Sequence, residues 1–115
     1  MDAIERQIWI YRTSDDKEPF TEWLHDLRDQ RGRQKIQAKL ARVRLGNFGD
    51  WRAVGDGVSE LKINFGPGYR VYFGLEGIEV VILLCGGDKG SQDSDIAKAK
   101  TYWADFQQEK RHADY

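Results

Sequence analysis

The stretch whose reading decides the fold runs from Val58 to Lys89, VSELKINFGPGYRVYFGLEGIEVVILLCGGDK. Three short runs rich in Val, Ile, Tyr and Phe are separated by Gly66-Pro67-Gly68 and by Glu76-Gly77. Such punctuation predicts an antiparallel three-strand meander. Glu60, Lys62 and Asn64 alternate with Leu61, Ile63 and Phe65, so the polar set shares one sheet face and the apolar set the other. On the next strand Arg70 and Tyr72 alternate with Tyr69, Val71 and Phe73 in the same way. A face carrying Lys, Arg and Tyr, and ending in a Gly-Gly-Asp-Lys loop, is where function is to be sought.

Outward from the meander, Ile4–Arg12 predicts a first strand with Ile8 and Ile10 on one face and Trp9 and Tyr11 on the other. Apolar residues on both faces place it inside the sheet. Residues 13–16 form a polar break, and Pro19 suits a first helical turn. Phe20, Trp23, Leu24 and Leu27 then recur at helical spacing, predicting a helix to about Gln30. Arg31-Gly32-Arg33 reads as an interruption before a second helix, which carries Ile36, Leu40 and Val43 and ends at Gly46. The two form a predicted antiparallel helical hairpin packed on one sheet face. Residues 47–57 read as a loop pinned by Phe48 and Trp51, and 107–115 as a polar tail. Between meander and tail, Ile96, Ala99, Trp103 and Phe106 make the stripe of a last helix. The expected class is α+β, in the order β-α-α-β-β-β-α, with an antiparallel-dominated sheet. The four tryptophans fall mostly at core positions.

A chain of 115 residues holds one domain, residues 1–115, with one core. Charged residues make up 32% and the net charge is −1, so no overall basic character points to nucleic acid. The distribution is more telling: Arg28, Arg31, Arg33, Lys35, Lys39, Arg42 and Arg44 stand against Asp29 alone in that segment. Cys85 ends the most apolar run and reads as a small buried hydrophobe in a reducing cytoplasm. There is no leader with a charged start and an apolar core, and no run long enough for a membrane span.

Two distant histidines, His25 and His112, offer no metal-ligand spacing, so no metal or cofactor is expected. No nucleophile elbow is present, and Gly86–Ser91 lacks the spacing of a phosphate-binding Walker loop. What remains is Lys62, Arg70 and Lys89. Lys62 and Arg70 facing each other across strands are unfavourable without an anion, or without Glu60 to offset them. Were the partner RNA, Lys62 or Glu60 would be the base for a 2′-hydroxyl. Arg70 would fork onto phosphate oxygens, Lys89 would stabilise charge or act as acid, and Tyr72 would stack on a base or position the phosphate.

The runs GVSELKINFGPGYRVYFG and VVILLCGGDKGSQDSDIAKAKTYW resemble the RelE/ParE superfamily of bacterial toxins, in its addiction-module killer (HigB-like) branch. The upstream PFTEWLHDLRD segment extends the resemblance to nearly the whole chain. It implies a RelE/ParE-like fold and a cytoplasmic, metal-independent mRNA endoribonuclease that acts on the ribosome. Its implied partners are the ribosome, mRNA and a cognate antitoxin, a helix-turn-helix protein encoded nearby. Carried over by motif, the active residues are Lys62, Arg70 and Lys89, with Glu60 where some relatives are basic. Asp95 stands where some relatives place a tyrosine, and it joins Tyr72, Arg42 and Arg44 as an expected RNA contact. The same resemblance leaves two alternatives, a ParE-like inhibitor of DNA gyrase and an inactive antitoxin-binding module.

Overall fold

Gly66, Gly68 and Gly77 adopt positive φ, at 56°, 81° and 63°, so the hairpins close where Gly-Pro-Gly and Glu-Gly stand in the sequence. The computed structural model describes residues 4–115. Its elements are β1 (Gln7–Tyr11), α1 (Pro19–Asp26), α2 (Gln30–Arg44), β2 (Trp51–Gly55), β3 (Val58–Ile63), β4 (Tyr69–Glu76), β5 (Val80–Asp88), α3 (Gln92–Glu109) and β6 (His112–Asp114). A 3-10 turn, Lys89–Ser91, joins β5 to α3. One six-stranded sheet has the order β2-β3-β4-β5-β1-β6. β1 runs parallel to β5, and every other pairing is antiparallel.

The meander is present as expected, and β1 lies inside the sheet with Ile8 and Ile10 facing one core and Tyr11 the other. Two expectations fail at the edges. Residues 51–55, read as loop, pair with β3, and residues 112–114, read as tail, pair with β1. Both strands, of five and three residues, are too short for a period of two to register in sequence.

The α1–α2 junction also differs from expectation. α1 stops at Asp26, and Arg31-Gly32-Arg33 lies in the first turn of α2 rather than breaking it. Asp29 is the reason: its side chain accepts from the Gly32 N–H at 2.9 Å, as an N-cap does. A Cβ on Gly32 would stand 2.6 Å from the Tyr69 ring, so glycine here permits close approach of helix and sheet. At the other end the Gly46 N–H donates to Val43 O and the Asn47 N–H to Arg42 O, with Gly46 at φ 92°. This is a Schellman end, and it confirms Gly46 as the stop.

Helices α1 and α2 share one sheet face over Ile8, Leu61, Val71, Phe73 and Leu83. α1 lies over β5 and β1 and α2 over β3, each packing on the sheet more than on the other helix. α3 covers the opposite face with Ala99, Trp103 and Phe106 against Tyr11, Tyr72, Ile82 and Leu84. Among the tryptophans only Trp103 is fully buried; Trp9, Trp23 and Trp51 are half-buried. Trp103 lies on Gly74 and Trp23 on Gly86, where a Cβ would penetrate either ring. Gly74→Ala or Gly86→Ala should therefore destabilise by about 1–3 kcal/mol through overpacking, read as a lower urea midpoint at unchanged slope.

Between β4 and β5 the register slips: Tyr72 pairs with Cys85 but Phe73 with Leu83, leaving Leu84 as an extra residue. Beyond this bulge Gly86 faces Trp23, on the α1 side, while Gly87 faces Asp95 of α3.

Candidate active site

Strand pairing sets two rows of residues on the face beneath α3. Arg52, Glu60, Tyr72 and Cys85 form one row, and Lys62, Arg70 and Gly87 the next. The residues that alternation assigned to one face do share it, but α3 closes over much of that face. Glu60 and Tyr72 have 0% exposure, Arg70 7% and Asp95 8%.

Glu60 is a sealed carboxylate. Its Oε1 accepts from Arg52 Nε at 3.0 Å and its Oε2 from Gln92 Nε2 at 3.0 Å. Arg70 Nε stands 3.7 Å from Oε1. Burial alone would push this carboxyl up, but the hydrogen bonds from Arg52 and Gln92 outweigh it and hold Glu60 below the usual carboxylate range. A buried ionised carboxylate persists only with such partners. With both oxygens engaged and no exposure, Glu60 is built to hold arginines, which does not suit the expected role as base for a 2′-hydroxyl.

Tyr72 also departs from expectation. Its ring packs in the α3-side core, so it has no open face on which a base can stack. Its hydroxyl is buried against Glu60, and burial followed by the Glu60 charge raises its pKa. Asp95 likewise turns inward, accepting from Ser91 Oγ above Gly87 rather than facing solvent as an RNA contact. A Cβ on Gly87 would collide with that carboxylate. Cys85 donates to Asp95 O at 3.7 Å, and burial pushes its thiol up to about 12, as suits an inert core residue.

Arg70, Lys62 and Lys89 do come together. Lys62 and Arg70 are direct cross-strand partners. A Cβ on Gly68 would lie 3.3 Å from Arg70 Nη1 and 3.5 Å from Lys89 Cβ. A glycine at φ 81° thus leaves the guanidinium tip and Lys89 side by side. Arg70 Nη1 donates to Tyr69 O at 3.1 Å, and its buried Nε has no hydrogen-bond partner. Lys62 is half-exposed and Lys89 exposed. The corner thus offers three cations, one of them a preoriented fork with donors to spare.

Arg42 and Arg44 lie elsewhere. Arg42 is exposed on α2, across the sheet from the corner's face. Arg44 Nη2 donates to Tyr115 O at 3.3 Å, and the guanidinium sits 5.6 Å from the Tyr115 ring centre. His25 is exposed on α1 and His112 stacks on Trp9 at 3.8 Å, so neither reaches the corner. Among the described residues no cluster of His, Cys, Asp and Glu could hold a metal ion, and no helix is long and apolar enough to cross a membrane. Arg52 and Gln92, which fix Glu60, carry no signal of their own in sequence. Arg52 would have emerged only with β2, and Gln92 only with α3 laid on this face.

No family model matches the chain. An uncharacterized protein of Haemophilus influenzae is 51% identical over 81 residues, which cover 70% of this chain and 82% of that protein. A match of that extent and identity shows common descent, and the chain belongs to the same family as the H. influenzae protein.

Proposed function

We propose that the protein is the toxin of a type II toxin–antitoxin pair, a ribosome-dependent, metal-independent mRNA endoribonuclease with a RelE/ParE-like fold. One observation carries this reading: Arg70, held from beneath by Glu60, sets its guanidinium between its cross-strand partner Lys62 and Lys89. A buried guanidinium flanked by two more accessible lysines suits the oxygens of a phosphodiester, where negative charge develops as the bond is cut. In the reaction proposed, Lys62 in its amine form takes the proton of a 2′-hydroxyl. The 2′-oxygen attacks phosphorus, the P–O5′ bond breaks, and Lys89 gives a proton to O5′. The products are a 2′,3′-cyclic phosphate and a 5′-hydroxyl. Arg70 binds the two non-bridging oxygens throughout.

The toxin acts in the cytoplasm, with the ribosome and mRNA as targets and a cognate antitoxin, a helix-turn-helix protein from a neighbouring gene, as its inhibitor. Controlled expression in a bacterial host tests this. Growth should stop and messages should be cut within translated regions; normal growth with intact message overturns the reading. Lys89→Ala should slow cleavage by about 10²-fold, the loss of one proton donor, without altering the urea midpoint of an exposed site. Glu60 and Tyr72 are sealed and neither histidine is near, so Lys62 and Lys89 are the accessible titratable groups of the corner. That scarcity favours a second reading, a ParE-like module that binds DNA gyrase without cutting RNA. A DNA-damage response with intact message would select it.

A further inference from the structure

A second basic site lies beside the corner and is unused by the chemistry above. β2 pairs with β3 as far as Leu61 and Asp50 O accepts the Lys62 N–H, and past that point the end of β3 opens into a groove of about 260 Å³. Lys35, Lys39 and Arg42 line it from α2, and Asp50, Lys62 and Phe65 line it from the sheet side. Lys35, Lys39 and Arg42 are spaced at i, i+4 and i+7, which puts them on one helix face. None of Lys35, Lys39, Arg42 and Lys62 forms an ion pair among the described residues. Burial, then the Arg42 charge, lowers the Lys39 pKa, and Asp50 offsets this only in part. Like charges are thus crowded round a concavity with a single acid to balance them. The Lys35 ammonium sits 5.7 Å from the centre of the Phe65 ring, so an aromatic face borders the cations. Cations flanking an aromatic along a groove suit a polynucleotide strand, whose phosphates meet the charges while a base stacks on the ring. An acidic peptide would use the charges and leave the ring idle.

We propose that the groove between α2 and the end of β3 binds the phosphodiester backbone of a single RNA strand that continues past the Arg70 corner. Lys62 borders both sites, so one strand passes from corner to groove around the loop at residues 64–68. The inference rests on the corner being a phosphate site, but binding in the groove does not require that any bond be cut.

The test uses a fluorescently labelled octauridylate and anisotropy across a salt series. In Lys35→Gln/Lys39→Gln/Arg42→Gln affinity should fall at least about tenfold near 0.1 M salt, and the slope of log K against log salt should shrink by about 2, at about 0.7 per lost phosphate contact. In the unaltered protein the same oligonucleotide should shift the amide resonances of Asn64 and Phe65, a readout that does not depend on a variant folding. Arg70→Ala should keep the groove's share of binding. Unchanged affinity and slope in the triple variant, silent resonances at Asn64 and Phe65, or loss of all binding in Arg70→Ala would overturn the proposal. Tighter binding of an octaglutamate peptide that displaces the oligonucleotide would overturn it too, in favour of an acidic protein partner. Salt-sensitive binding in the groove, together with intact message on programmed ribosomes, would leave this inference standing and remove the nuclease.

Discussion

Arg70→Ala should lower the rate of message cleavage by about 10²–10³-fold, the usual loss when one preorganised donor is withdrawn from a developing oxyanion. It should also restore growth to expressing cells. The size of the effect follows from where the guanidinium sits. Its side chain is buried, its Nε lies 3.7 Å from Glu60, and its Nη1 lies against the Gly68 turn. The fork therefore loses little freedom on meeting a phosphate. Lys at this position would carry the charge but not the fork, so Arg70→Lys should recover only part of the activity. The fold should survive either change, because Glu60 keeps Arg52 and Gln92 as partners when Arg70 is gone. Single-turnover cleavage on programmed ribosomes, beside a urea melt, separates the two effects. Cleavage at the original rate by a folded Arg70→Ala protein would reject the corner as the reaction site.

Glu60→Ala should cost about 3–5 kcal/mol of stability, the range for deleting one partner of a buried ion pair. The variant would leave Arg70 buried without a carboxylate and Gln92 without its acceptor, over a void once filled by the carboxyl. Glu60→Gln keeps the volume but turns an amide donor toward at least one donor, so it should fall between wild type and alanine. The pH dependence has a definite sign. The folded pKa of Glu60 lies below the unfolded one, so its contribution is complete above the ordinary carboxylate range and is lost as pH falls through the lowered folded value. Urea midpoints of wild type and Glu60→Gln should thus differ most near neutrality and converge in acid. A constant gap between the two proteins at every pH would show that Glu60 is not held ionised.

Much of the sheet was legible because its signals are local. Gly66, Gly68 and Gly77 mark their turns in sequence, and a period of two runs unbroken from Glu60 to Phe65. β2 and β6 were not legible, since Trp51–Gly55 and His112–Asp114 gain their order from one neighbour each rather than from any pattern of their own. Gly32 misled in a different way. Alone it reads as a breaker, and only the approach of Tyr69 and the Asp29 cap show that a helix needs glycine there. The site divided along the same line. Spacing grouped Glu60, Lys62, Arg70 and Tyr72 on one face, but which helix would cover that face is a long-range fact. Laying α3 there turned Glu60, Tyr72 and Asp95 into supports, buried Arg70 with them, and left Lys62 and Lys89 more accessible on either side of it.

The extra residue at Leu84 has a consequence for how such a site tolerates a change of length. Upstream of it, odd and even positions of β5 face α1 and α3 in one sense, and downstream in the opposite sense. Leu84 and Cys85 both face α3, so deleting Leu84 removes no charge and no polar side chain and restores a plain alternation. Cys85 would stay opposite Tyr72, Gly86 against Trp23 and Gly87 against Asp95, and Lys89 would keep its place near Arg70. The bulge is a point of slack in an otherwise exact strand, so residue count between Tyr72 and Lys89 is not by itself the mark of a lost site.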